Sequence, residues 1–529
     1  MQAISSFPFK FSSLVLASSL ALLALFSTTG CSTGSPQPQT GFAGTTQVTV
    51  LLSSTANDQV TRFATQLQSL TLTSRLGKTV TLLSSQQPAE FTHLNGGLEP
   101  LTTVTVPQEI YTSASITVGG AVFVCIGQVP GGGLGIANYS IINQAAALTL
   151  SSPITVTGSS MALLLNMQVS SSAILPSNCW TTPAFEGFSM TPTFNLTPVT
   201  LSTSPTNSGN GKVSGLNAEV ASITGSSLTL TIAGGPYGTR TVSANSNNQT
   251  VFQGINGASD LSPGMFLNVD GAIQSDGSLL AARIEAEDST ALNDSSGPVM
   301  FVDSALPVLE LYGRTELGPL QNISGRSGIY FDIPNFDFSS ATFQISGQFT
   351  NLQNLPFVPS FNAANIVTGQ NVDVASGDFS LVGGVATTAH IITLVPQTID
   401  GIVVASQQSG SFTDYTVSLA SYDLFPTLAV QPGQTTLLNN PGEIEVYVDN
   451  NTQMLNAQTL ALGSTFRFYG LVFNDNGTLR MDCARVSDGV SVTPQSTSSV
   501  RVPARVQVVS RKTGKPIRIA TTVAVGPAR

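Results

Sequence analysis

At 529 residues the chain has room for three to five domains of roughly 100 to 200 residues, each with its own core. Only 9% of the residues are charged, while 41% are apolar and fall into short alternating runs; this excludes a disordered chain, which lacks the material for a core, and fits an exported all-β protein. The net charge of −10 hides an asymmetry: seven of the 19 basic residues and none of the 29 acidic ones follow Ser491, so a basic tail is joined to an acidic body.

The amino terminus sets the expected compartment. After Lys10 the run FSSLVLASSLALLALF is too short and too rich in Ser for a bilayer span of about 20 residues, and suits the core of a signal peptide. It closes on Ser27-Thr28-Thr29-Gly30-Cys31, which resembles the bacterial lipobox, with Thr28 where Leu is most usual. The resemblance implies a signal peptide over 1–30, acylation of Cys31 and anchoring in the cell envelope. A Cys left incidentally beyond a cleaved signal is the alternative. Ser32 follows the Cys, so nothing argues for retention at the inner membrane, and the expected location is the outer membrane. Residues 31–46 are rich in Pro, Gly, Ser and Thr and read as a flexible tether.

Strands begin at Gln47. QVTVLLSS, then QLQSLTLTS and TVTLLSS around the turn Arg75-Leu76-Gly77-Lys78, predict a hairpin, and further strands follow in LTTVTVP, IYTSASITVGGAVFVCIG, AALTLSSPITVTG and SMALLLNMQVSSSAIL. Residues 47–195 are therefore expected to form a β-sandwich-like domain. The strands Val48 to Leu52, Pro107 to Val118 and Met161 to Ile174 resemble those of an uncharacterised domain of bacterial lipoproteins. With Cys31 acylated, Cys125 and Cys179 share this domain and are the expected disulfide in an oxidising compartment. Cys483 is then a buried core thiol.

Residues 196–212 read as a linker, and beyond it one pattern recurs. GMFLNVDGAIQSDGSLLAARI at Gly264 to Ile284 returns as GSTFRFYGLVFNDNGTLRMDCARV at Gly463 to Val486. In each, a Gly precedes alternating apolar residues, a second Gly follows at Gly271 or Gly470, and a turn at Asp276-Gly277 or Asn476-Gly477 leads into a closing strand. Both turns are expected to be of type I′, which needs the positive φ those residues accept. The pattern predicts β-barrel repeats at 213–290 and 397–490 and a degenerate one at 291–396 that keeps mainly Gly369, Val372 and Val374. The matching residues include Asn248, Thr250, Phe252, Leu279, Ala281 and Ile284 in the first, and Asn451, Thr452, Leu479 and Val486 in the last. They resemble a domain of unknown function found in tandem in bacterial envelope lipoproteins. The resemblance implies a small OB-like barrel and carries no activity with it.

Residues 491–529, with VRVPARVQVVS, RKTGKP and IRIATTVAVG, read as a basic hairpin. Its Arg501, Arg505, Arg511, Lys512, Lys515 and Arg518 are candidates for contact with an anionic envelope polymer or lipid, the other reading being an edge hairpin docked on its own body. An exported chain without aromatic residues among these charges is not expected to bind nucleic acid.

Catalytic signatures are sparse. His93 and His390 are the only histidines and form a catalytic or metal pair only if the fold unites them. Asp332, Asp337, Asp373, Asp378 and Asp449 are candidate calcium ligands, but none has the spacing of a known loop, and turn chemistry explains them equally well. No catalytic residue, metal or cofactor is assigned. The expectation is a non-catalytic, lipid-anchored envelope scaffold, structural, adhesive or ligand-binding; the alternatives are an extracytoplasmic polymer hydrolase, marked by carboxylates clustered in one cleft, and a carbohydrate-binding module.

Overall fold

The computed structural model describes residues 42–488, except for 56–59, 95–96, 129–133, 143–145, 175–188, 200, 202–211, 320–334, 350, 379–386, 421–422, 429–437 and 456–458, together with the strands Ala504–Val509 and Pro516–Ile517. The protein is all-β. Helix among the described residues is limited to short turns such as Val169–Ser172 and Leu424–Leu428, and no helix there is long and apolar enough to cross a membrane. The turn Val169–Ser172 interrupts what the sequence presents as one strand from Met161 to Ile174. The Ser172 hydroxyl donates to the Gln168 carbonyl at 2.7 Å, a local bond that competes with strand pairing.

The first domain is a sandwich of two sheets. One runs Glu99–Pro107, Thr45–Ser54, Ser160–Met167, Thr193–Val199, Ala147–Leu150 in space, and the other runs Thr79–Leu83, Arg62–Ser74, Ile110–Gln128, Leu134–Ile142. Between them lie Val48, Val50 and Leu52 with Phe63, Phe123 and Phe194; the rings of Phe63 and Phe123 meet edge to face at 5.8 Å, an arrangement that aromatic quadrupoles favour. From Val48 onward Thr45–Ser54 is buried on both faces. Its outward Leu51 belongs to the core of the next domain, which is why its alternation is lost.

Three barrels follow. The first closes five strands into a ring: Thr239–Asn245, Ser227–Ala233, Lys212–Thr224, Phe266–Ile273, Leu279–Ala286, and back to Thr239–Asn245 through a parallel pairing, with Val251–Gln253 added along Leu279–Ala286. The last repeats this order with Glu443–Val448, Phe412–Leu419, Gln397–Ser409, Thr465–Asp475 and Thr478–Asp488, and Gln453–Leu455 added along the closing strand. The middle unit, degenerate in sequence, has the same ring in Asn335–Asp337, Val308–Leu311, Asn293–Asp303, Asn371–Ser376 and Thr387–Leu394, with Thr342–Ile345 added along the closing strand and one further short strand, Thr315–Leu317. Closure removes the free sheet edges on which chains aggregate.

The conserved spacing within the two clear copies has local causes. Gly271 and Gly470 stand where the strand register shifts. A Cβ there would fall 2.3 Å from the Leu280 carbonyl oxygen and 1.9 Å from that of Asp482, so only glycine fits the bulge. Thr250 and Thr452 each donate a hydroxyl hydrogen bond of 2.7 Å to a carbonyl of the closing strand, at Ala281 and Cys483. The two hairpin turns differ. Asn476 and Gly477 both have positive φ, at 52° and 92°, as type I′ requires. At the other turn only Gly277 does, at 85°, and its N–H donates to Gln274 O at 3.0 Å. That is a three-residue loop with a glycine bulge rather than a type I′ turn.

Gly44–Arg529 is one compact unit, and its domains share apolar cores. Leu51 and Ala162 of the sandwich join Leu267, Val269 and Ile284 of the first barrel. Phe357 and Phe361 of the middle barrel pack with Phe412, Tyr447 and Phe473 of the last. Leu424 and Leu428 of the short helix meet Val124 and Ile126 of the sandwich and Met300 and Tyr312 of the middle barrel. The strand Ala504–Val509 pairs antiparallel with Leu134–Ile142, Arg505 opposite Asn138, and with Pro516–Ile517, so the carboxy-terminal hairpin extends the second sheet of the sandwich.

Candidate functional site

A cleft of about 110 Å³ opens where all four domains meet, lined among others by His93 and Glu99, Asn217, Arg314 and Asp373, and Thr398 and Tyr469. His93, Glu99, Arg314 and Thr398 come from the end of a strand or the turn beside it, whereas Asn217 and Tyr469 lie within Lys212–Thr224 and Thr465–Asp475.

His93 follows the strand Gln87–Glu90. Its Nδ1 lies 2.8 Å from Glu90 Oε2 and its Nε2 lies 2.7 Å from Glu99 Oε1. Glu99 also holds Arg240 of the first barrel in a buried ion pair. Glu90, fully buried, accepts in addition from the backbone N–H groups of Phe63, Thr92 and His93 and from the Thr92 hydroxyl. Burial opposes the charge on His93, but the Glu99 carboxylate and the hydrogen bonds from both glutamates raise its pKa to about 9. Burial also opposes ionisation of Glu99, but Arg240 and His93 bring it down to about 2. His93 is therefore an imidazolium at neutral pH with both nitrogens engaged, which leaves it neither a lone pair for a metal nor a free position for acid–base work.

A second polar cluster lies between the first and middle barrels. Oxygens of Glu287, Asp294 and Asp373 lie within 4.8 Å of one another; Asp294 is completely buried and Asp373 is 4% exposed. Like charges so close and so deeply placed repel one another, so the three carboxyls resist ionising together. Burial first, and the neighbouring carboxyls second, put all three well above the ordinary carboxyl range. Asn217 of the first barrel donates its amide to Asp294 and, at 3.1 Å, to Asp373.

Arginines complete the junctions. Arg62 of the sandwich, 2% exposed, donates to the Gly313 carbonyl and lies over the Tyr312 ring at 5.2 Å. Arg314 of the middle barrel donates to the Thr61 carbonyl at 3.0 Å and to Asn371 Oδ1 at 3.3 Å. Between the middle and last barrels, Gln370 Nε2 donates to the Val472 carbonyl and Gln397 Nε2 to that of Gly369, at 2.8 and 2.9 Å.

The sequence candidates are scattered. His390 binds Asp288 at 3.0 Å, apart from the His93 partners. Of the calcium candidates only Asp373 enters a carboxyl cluster, with Glu287 and Asp294 as companions that no sequence signal marked. Asp337 and Asp449 accept backbone N–H bonds from Ser339 and Asn451 as turn residues, and Asp378 is exposed. Cys125 is disulfide-bonded, and Cys483 is a free, buried thiol whose ionisation burial opposes. Cys31, Cys179, Asp332, Arg501, Arg511, Lys512, Lys515 and Arg518 lie outside the described residues.

Residues 218–285, which span the first barrel from within its opening strand to its closing one, match the model of a domain of unknown function, DUF5666. No curated protein matches the chain.

Proposed function

We propose that the chain is a lipid-anchored scaffold of the bacterial cell envelope, with no catalytic role, in which the middle and last barrels are further copies of the domain matched at 218–285. The observation that carries this reading is the state of the cleft's ionisable groups. His93, Glu99, Arg240 and Asn217 engage one another or the neighbouring carboxyls across domain boundaries. Groups used in this way fix domains relative to one another, as buried charge pairs do when both partners are present. The shared strand order of the three barrels supports the repeat assignment. The lipobox-like segment at Cys31 supports the anchor. The basic hairpin beside the sandwich is the proposed contact for an anionic envelope polymer.

One observation favours the hydrolase alternative: the carboxyl trio includes Asp373, which lines the cleft. Asp294 is sealed from solvent, whereas a general acid must reach its substrate. The deciding experiment incubates the protein with purified peptidoglycan and envelope polysaccharide, following both sedimentation at low and high salt and release of soluble fragments. Salt-sensitive co-sedimentation without fragments is expected. Fragment release that Asp373→Asn abolishes would replace the scaffold with the hydrolase. Metabolic labelling with a fatty acid, lost in Cys31→Ala, tests the anchor.

A further inference from the structure

The first and middle barrels are joined by six residues, 287–292, between the strands Leu279–Ala286 and Asn293–Asp303. This connector is tied to both sides: Glu287 N–H donates to Phe266 O of the first barrel at 3.1 Å, and Leu292 N–H to Ser376 O of the middle barrel at 2.8 Å. Glu287 therefore sits at the point where one barrel hands over to the next, and its carboxyl turns back to Asp373 and Asp294. Asn217 reaches across from the first barrel to the same two aspartates. The junction thus closes over three carboxyls whose oxygens lie within 4.8 Å of one another.

We propose that this connector is a proton-operated hinge: the first and middle barrels stay closed on each other while Glu287, Asp294 and Asp373 hold protons, and part when the three ionise. Like-charged carboxylates a few ångströms apart repel strongly where solvent is excluded, and in the described structure no cationic side chain bonds to the trio. Arg283 of the first barrel is occupied by Asp270, Asn268 and Glu285, Arg314 of the middle barrel bonds to Thr61 and Asn371, and Glu285 adds negative charge towards Glu287 and Asp373. On the connector itself, Asp288 binds His390 of the middle barrel and accepts from Thr290. This contact also ties the connector to the middle barrel, and substitution at His390 separates its effect from that of the trio. Ionisation is relieved by hinging at 287–292, where the ties to the two barrels are few: the Glu287 and Leu292 backbone bonds, the Asp288–His390 contact and Ala291, which packs with Phe266 and Ala375. The sandwich junction, where Arg240 and His93 face Glu99, keeps its paired charges over the same range.

The test is hydrogen exchange of the full chain, read at the Glu287 and Leu292 amides as protection relative to the intrinsic rate between pH 5 and 8. Protection is expected to fall by about tenfold or more as pH rises, since each unit of proton release is a factor of ten, while the Phe63 amide in the sandwich stays protected. Glu287→Gln and Asp373→Asn, each keeping the side chain's size, are expected to flatten this dependence, and His390→Gln to leave it in place. If one carboxyl variant fails to fold, the other decides. Uniform protection across the pH range in the unaltered chain overturns the hinge, as does a dependence that survives Glu287→Gln or disappears with His390→Gln. Restoration of protection at pH 8 by millimolar calcium, absent with magnesium, also overturns it, because the trio would then be a cation site.

Discussion

The first barrel meets the sandwich on one side and the middle barrel on the other, and the two junctions neutralise buried charge by different means. Towards the sandwich, opposite charges are matched: Arg240 and His93 face Glu99, and Glu90 completes the row. Towards the middle barrel, like groups meet and resist ionising: Glu287, Asp294 and Asp373 with an amide donor in Asn217. An ion pair holds its charge over a broad pH range and is broken by removing a partner. A cluster of protonated carboxyls tolerates neutral substitutes and is broken by alkali. The same barrel therefore carries one junction that depends on composition and one that depends on conditions.

The largest effect should come from breaking the matched charges. Glu99→Gln leaves Arg240 buried without its counter-ion and His93 with Glu90 alone, and is expected to cost about 3 to 5 kcal/mol, read as a shift in the urea midpoint at unchanged slope. A loss below about 1 kcal/mol would show that water already compensates the pair. The pH profile sharpens the contrast. His93 has its pKa raised in the folded chain, so its contribution is complete below the unfolded value of 6.5 and is lost as pH rises through about 9. The total is on the order of 3 kcal/mol. Glu99 is lowered, so its contribution is present above 4.5 and lost as pH falls through about 2. The carboxyl trio, raised well above the ordinary range, disfavours the folded state progressively as pH climbs above the usual carboxyl values. Stability should thus decline from mildly acidic pH upward, and His93→Gln should remove the loss near pH 9 while leaving the earlier part.

A steric test needs no charge. The turn at Gly277 sits against the sandwich, where a Cβ would fall 1.8 Å from Thr103 Oγ1 on a backbone of φ 85°. Gly277→Ala should cost about 1 to 3 kcal/mol, seen as a lower melting temperature, whereas alanine at Gly225, with open space around its Cβ, should cost less. The smallest effect is expected for Asp373→Asn at neutral pH. It keeps a hydrogen-bonding side chain and removes a carboxyl from a crowded site, so stability should change by less than about 1 kcal/mol or increase. A loss as large as that of Glu99→Gln would erase the distinction between the junctions.

Much of the fold could be read from local pattern. The alternating runs gave strands, the paired glycines marked the bulges at Gly271 and Gly470, and Asn476-Gly477 produced the turn its residues demand. Thr250 and Thr452 stood out as matching positions, and their hydroxyls prove to cap the same place in the barrel. Other features were out of reach. Whether Asp276 takes positive φ depends on the loop that Gln274 closes, and the loss of alternation after Val48 depends on a second domain lying over Leu51. His93 was visible as a residue, but its role follows from Glu99, six positions on, and from Arg240 in another domain.

Sequence alone settled the all-β class, the recurrence of one strand pattern and the residue types at its turns, because these depend on side-chain periodicity and on backbone conformations only certain residues accept. Tertiary structure decided that the degenerate middle unit closes the same ring, that the four domains meet at one cleft, and that Glu287, Asp294 and Asp373 share a site. Those outcomes rest on distances between residues separated by up to hundreds of positions, and both charge pairing and hydrogen bonding fall off within a few ångströms. Where each carboxyl ends up in space, beside an arginine or beside another carboxyl, determines what it does.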